Sequence, residues 1–122
     1  MGTSEQIAAL VAHIEAKPGA RADAMPLGVR LYKVMGKMFA ILTDHRVQSV
    51  TVKCDPHLVE VLKEKYAGVG HRGHLDRRFW INVSLGADVP LEETRRLVDH
   101  SYDLVCAGLT RKQRAELAGL AN

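Results

Sequence analysis

The sequence predicts an α+β two-layer sandwich, an antiparallel sheet with helices on one face. Three observations predict it. Apolar residues recur at helical spacing and at period two in separate stretches, in the order helix, three strands, helix, strand, helix, helix. The first three strands are joined by short turns, which makes a meander, and a meander is antiparallel. The stretch His74–Leu85 (HLDRRFWINVSL) alternates throughout. Leu75, Arg77, Phe79, Ile81, Val83 and Leu85 share one face, almost wholly apolar and suited to a core. His74, Asp76, Arg78, Trp80, Asn82 and Ser84 share the other, which is polar and basic yet carries the only tryptophan.

Each element has its own signal. Thr3 and Gln6 have the form of a capping box, and Ile7, Leu10, Val11 and Ile14 follow at helical spacing. Lys17-Pro18-Gly19 ends that helix, and residues 20–26 read as a connecting loop. Leu27–Val34 alternates as a strand, Met35-Gly36-Lys37 as a hairpin turn, and Met38–Thr43 as a central strand. Asp44-His45-Arg46 is a polar turn before the strand Val50–Lys53. Asp55 and Pro56 open a helix as cap and first residue, with Leu58, Val59, Leu62 and Tyr66 along one side. Ala67-Gly68-Val69-Gly70 closes it. After the long strand, Pro90, Glu92 and Glu93 start a helix whose apolar stripe is Leu97, Val98, Ser101, Tyr102 and Val105. Gly108 ends it. Thr110 and Gln113 form a second capping box before a short helix with Leu117 and Leu120. The face of the sheet away from the helices has nothing obvious to cover it.

The chain of 122 residues fits a single domain over 1–122. Its apolar fraction of 47% and charged fraction of 25% exclude whole-chain disorder. No apolar run approaches the ~20 residues of a membrane span, and the opening Met-Gly-Thr-Ser-Glu-Gln lacks the pattern of a signal peptide. Cys54 and Cys106 stand alone, outside any Cys-x-x-Cys pair, and read as two reduced thiols of a cytoplasmic protein. The net charge is +3, but residues 30–78 hold ten Lys and Arg against five Asp and Glu. A basic, strand-rich middle is compatible with a polyanionic partner.

Several fragments occur together in order. Lys17-Pro18-Gly19-Ala20 follows the first helix, and Phe39-Ala40 lies in the second strand. Lys53 precedes Pro56 and the helix of Leu58 and Leu62, and His74-Leu75 precedes Trp80. Val89-Pro90 leads to Asp99, Ser101 and Tyr102. In this order the chain resembles the bacterial MmcQ/YjbR family, from residue 3 to about 118. The resemblance implies a CyaY-like fold, that of bacterial frataxin, and DNA binding through a double-wing motif. Lys53, His74, Trp80, Ser101 and Tyr102 match positions of the family pattern. Phe79 departs from it, because members often carry a polar residue or His there. Frataxin-like iron handling needs an acidic ridge. The first helix offers only Glu5 and Glu15, and the next loop only Asp23, so that route is rejected.

Fully burying a large apolar side chain is worth roughly 2–3 kcal/mol. An indole on an open face therefore calls for a cover, either a partner or the chain's own C-terminal helix. Base stacking on an aromatic needs no sequence preference, and Arg78 and His74 lie on the same strand face to meet phosphates. The Met35–Lys37 tip, with Lys33 at its base, has the glycine and charge a wing needs; the turn carrying Arg46 has only the charge. His71 and His74 lack further ligands at metal-site spacing. Asp99, His100 and Ser101 cannot converge as a catalytic triad, since neighbours on a helix point about 100° apart. Ser101 and Tyr102 are expected to pack the helix onto the sheet, with their hydroxyls bonded to backbone. No nucleophile elbow, phosphate loop or dinucleotide fingerprint occurs.

The expected function is a small binding module without catalysis, cofactor or metal. It contacts DNA or RNA weakly and in a salt-sensitive way through Lys33, Lys37, Arg46, His74, Arg78 and Trp80. The alternative is a protein-interaction adaptor using the same Trp-centred face. A monomer is expected, with no membrane partner.

Overall fold

The computed structural model describes residues 2–121, with Ala121 by its backbone alone. The elements run α1 (Thr3–Glu15), β1 (Ala20–Met25), β2 (Val29–Val34), β3 (Lys37–Thr43) and β4 (Ser49–Lys53). After these come α2 (Pro56–Lys65), β5 (Val69–Gly70), β6 (Trp80–Ser84), α3 (Leu91–Ala107) and α4 (Arg111–Ala121). The strands form one antiparallel sheet in the order β1-β2-β3-β4-β6-β5. The α+β class and the meander stand, but the sheet has six strands where four were expected.

One core lies between the sheet and the helices. Tyr32, Val34, Leu42, Val50, Val52, Ile81 and Val83 face Leu10, Ile14, Val59, Leu97, Val98 and Val105 across it. The register of β2 on β3 slips between Tyr32 and Lys33, so Phe39 is an extra residue in β3. That bulge leaves Phe39 and Ala40 both fully buried. Phe39 meets Tyr102 edge to face, with ring centres 5.3 Å apart.

α3 is tied to the sheet by hydroxyls bonded to backbone, as the sequence expects. Ser101 Oγ donates to the Phe39 carbonyl at 2.6 Å and accepts from the Lys53 N–H at 2.8 Å. Tyr102 Oη donates to the Pro18 carbonyl at 2.7 Å. Asp55 caps α2 by accepting from the His57 N–H, and Thr110 and Gln113 close their capping box reciprocally. All five residues of the expected α3 stripe are buried.

Five expectations require correction. Residues 20–26 are not a loop: Ala20–Met25 is an edge strand, and five of its six residues are exposed. Its alternation sets alanine against charge, so no large apolar residue marks a buried face. Leu27 stands outside β2, in a tight turn where Leu27 and Gly28 both have positive φ. Of β2, Tyr32 and Val34 enter the core. The cap of α1 falls on Gly2 rather than Thr3, with no side-chain cap bond. Leu58 is exposed, and Val59 and Leu62 alone are the buried residues of α2.

The fifth correction matters most for function. The strand expected over His74–Leu85 is ladder only from Trp80, and the parity expected there applies only from that point: Ile81, Val83 and Leu85 are buried, while Trp80, Asn82 and Ser84 are half-buried. Residues 71–79 leave the sheet edge and cross the face away from the helices. Arg72 Nη1 reaches the Thr43 hydroxyl at 2.9 Å. Arg72–Leu75 form one wall of a groove whose other residues include Met25, Val29, Leu31, Met38 and Ile41. Under this strap Thr51 is 0% and Ile41 5% exposed, although neither belongs to the main core. The far face therefore has its own cover.

Candidate functional site

Antiparallel pairing sets Lys53, the last residue of β4, opposite Trp80, the first of β6. The chain then turns into α2 at Asp55-Pro56, and the Cys54 N–H extends the ladder to the Phe79 carbonyl at 2.7 Å. These three events leave a cleft at one end of the sheet, about 350 Å³, lined by Lys53, Cys54, Asp55, Pro56, Phe79, Trp80 and Leu104. Two half-buried aromatic rings, a proline and a leucine make its walls. The Arg78 guanidinium lies 5.2 Å from the centre of the Phe79 ring, a distance that suits a cation over an aromatic face.

The charges at the cleft have different surroundings. Lys53 makes no ion pair among the described residues. Arg78 is bonded to Asp76 through both carboxylate oxygens, at 3.2 and 2.8 Å. That hydrogen bonding holds the Asp76 carboxyl below its usual range. Arg78 thus presents a charge partly offset by its neighbour. Asp55 is an acid on the cleft wall, engaged as the cap of α2. The His100 ring accepts from the Asp55 N–H at 3.2 Å, which braces this corner against α3. Burial pushes the Cys54 thiol up to about 11, so it is neutral, not a thiolate nucleophile, at ordinary pH.

The other predicted residues do not join this cleft. Lys33 is paired with Asp23 at 2.8 Å, and the Lys37 ammonium donates to the Gly108 carbonyl at the end of α3 at 3.3 Å. Arg46 sits in the turn after β3, at the opposite end of the sheet from Lys37. The length of β3, roughly 20 Å, separates the two hairpin tips, so they form no common surface. His74 is exposed at a positive φ in the strap, beside the apolar groove. Ser101 and Tyr102 are buried packing residues. Of the residues singled out, Lys53 and Trp80 line the cleft together, and Arg78 lies beside it near the Phe79 ring. Phe79, Pro56 and Leu104 complete the cleft and were missed. The Asp55-Pro56 helix start was the available signal, since it lies directly after Lys53.

The fold and site define a small α+β module: helices cover one face of its sheet, a strap crosses the other, and an aromatic cleft with basic residues opens at one end. The chain belongs to the YjbR family, whose family model matches residues 15–104. The uncharacterised protein YjbR of Escherichia coli K12 is 28% identical over 116 residues, covering 93% of this chain and 98% of that one. The uncharacterised protein YbdF of Escherichia coli O157:H7 is 26% identical over 85 residues, 69% of this chain and 70% of its own. Among solved structures, Deinococcus radiodurans DR2400, with a domain termed DUF419, superposes with a TM-score of 0.81 at 24% identity. The match covers 92% of this chain and 87% of that one. A Pseudomonas syringae protein gives a TM-score of 0.69 at 21% identity, over 85% and 98% of the two chains. Both structural likenesses concern the fold.

Proposed function

We propose that the protein is a non-catalytic binding module of the cytoplasm that takes single-stranded nucleic acid at the cleft of Phe79 and Trp80. One observation carries the reading: two aromatic rings and Lys53, which has no ion pair among the described residues, border one concave site of a size for a planar ring. A base stacks on the aromatics, an interaction worth ~1–3 kcal/mol that tolerates any base. Lys53 and Arg78 meet the flanking phosphates, while Asp55 keeps phosphate away from the inner wall. Lys33, Lys37 and Arg46 add only diffuse positive potential, because they lie elsewhere or are already engaged, and His74 lies apart in the strap.

The test is anisotropy of labelled single-stranded DNA and RNA. Trp80→Ala weakens binding by about tenfold to a hundredfold, and Lys53→Glu weakens it and lowers its salt dependence. Arg46→Ala leaves affinity nearly unchanged. Equal binding by native protein and Trp80→Ala ends the proposal.

A second reading, a protein-interaction adaptor, draws on the far face. The groove between the strap and β1–β2 spans about 650 Å³ and is lined mainly by Met25, Val29, Leu31, Met38, Ile41 and Leu75. Apolar anchoring there makes affinity insensitive to salt, which separates the two readings in the same titration.

A further inference from the structure

β1 pairs with β2 on one side and, among the described residues, with nothing on the other. An exposed edge of six residues is a template for a further strand. Its sequence selects which strand. Ala20-Arg21-Ala22-Asp23-Ala24 places opposite charges two residues apart, hence on one face, and symmetrically about Ala22.

We infer that two copies of this chain associate by pairing β1 with β1 antiparallel, with Ala22 opposite Ala22. In this register each Arg21 stands opposite Asp23 of the second copy, and each Ala20 opposite Ala24. The pleat requires opposed residues to share a face, so the two-fold axis of such a pair falls at a residue. An axis at Arg21 or at Asp23 opposes like charges, and one at Ala24 pairs neither charge; Ala22 alone satisfies both. Asp23 already holds Lys33 of its own chain at 2.8 Å. The pairing therefore builds an Arg-Asp-Lys row on each side of the axis.

The same register covers exposed apolar groups. Met25, 46% exposed, falls opposite Gly19 of the second copy. Leu120, 62% exposed, lies beside Gly19, where an added Cβ would come within 3.6 Å of its Cδ1. The axis runs perpendicular to the sheet, so the two sheets join into one with all helices on the same side. Both clefts lie away from the shared edge, because β6 and β1 are separated by three strands.

Sedimentation velocity of the full chain over a wide concentration range tests this. The native protein shows a concentration-dependent dimer, and its β1 amides exchange more slowly as the dimer fills. Arg21→Asp and Asp23→Arg each weaken self-association by at least about tenfold, since attraction becomes repulsion on both sides of the axis. Mixing the two variants restores association, as a heterodimer. The double exchange Arg21→Asp with Asp23→Arg restores the homodimer, with Asp at position 21 now opposite Lys33 of its own chain. Circular dichroism establishes that each variant is folded. A native chain that is monomeric at every concentration overturns the inference. So does a dimer indifferent to Arg21→Asp, or a mixture of folded single variants that stays monomeric.

Discussion

The Ser101 hydroxyl makes two bonds at once, to the Phe39 carbonyl and from the Lys53 N–H, and is fully buried between α3 and the sheet. Its removal leaves the buried Phe39 carbonyl and the part-buried Lys53 N–H without this partner, and an unsatisfied buried group costs about 1–3 kcal/mol. Ser101→Ala is accordingly expected to lose about 2 kcal/mol or more in denaturant unfolding; a loss below ~0.5 kcal/mol would remove this bond pair from the account. The same substitution loosens the backbone beside the cleft, so Trp80 emission shifts even where the protein is folded. Asp99 acts on a different variable. Burial pushes its carboxyl up, but hydrogen bonds from Lys17 and His13, at 2.5 and 2.6 Å, outweigh this and hold its pKa below the usual value. A carboxyl lowered by folding stabilises the native state above its unfolded pKa of about 4, and the contribution fades as pH falls through the lower folded value. Native protein therefore exceeds Asp99→Asn in melting temperature at neutral pH, and the gap closes below about pH 4. A gap that persists unchanged in acid contradicts the assignment.

The strap over residues 71–79 is the element that most changes the picture of the molecule. Arg72 fastens it to Thr43, and His71 Nδ1 lies 3.3 Å from the Trp80 carbonyl, the bond being donated by the ring N–H. Arg72→Ala releases one anchor, so trypsin cleaves faster after Arg77 and Arg78 while the melting temperature changes little, because the strap lies outside the main core. Cleavage at the native rate would mean that Arg72 is not the fastening. This element also shows what could be read in the chain. Leu75 and Phe79 are half-buried against the sheet face and the cleft, but Arg77 between them is exposed, so the apolar letters suggested a strand that continues only from Trp80. β1 was hidden for the opposite reason: an edge strand buries almost nothing, and its period-two alternation is of alanine with charge, without the large apolar side chains that mark a buried face. α3 and the capping box of α4 were legible because their signals are local. The site was half legible. Trp80 and Lys53 each stood out, but their opposition depends on the long-range register of β4 on β6, and Leu104 lies off the stripe that marked α3.

At the scale of the whole molecule, the sheet separates two faces and two ends. One face carries the helices and the core, the other carries the strap and its groove, and the two ends hold different turns. The Lys33–Lys37 hairpin and the Arg46 turn lie at opposite ends, so positive charge is spread around the sheet rather than gathered in a pair of wings. The proposed binding then depends on the one end where aromatic rings and a lysine meet. The chain has a single tryptophan, and it lines that cleft, which makes its fluorescence a direct reporter. The decisive measurement is a titration of Trp80 emission with short single-stranded oligonucleotides at low and high salt. The account predicts saturable quenching at low salt that weakens sharply at high salt and is diminished in Lys53→Glu. Emission that stays constant at low salt, with DNA and RNA alike, would contradict it.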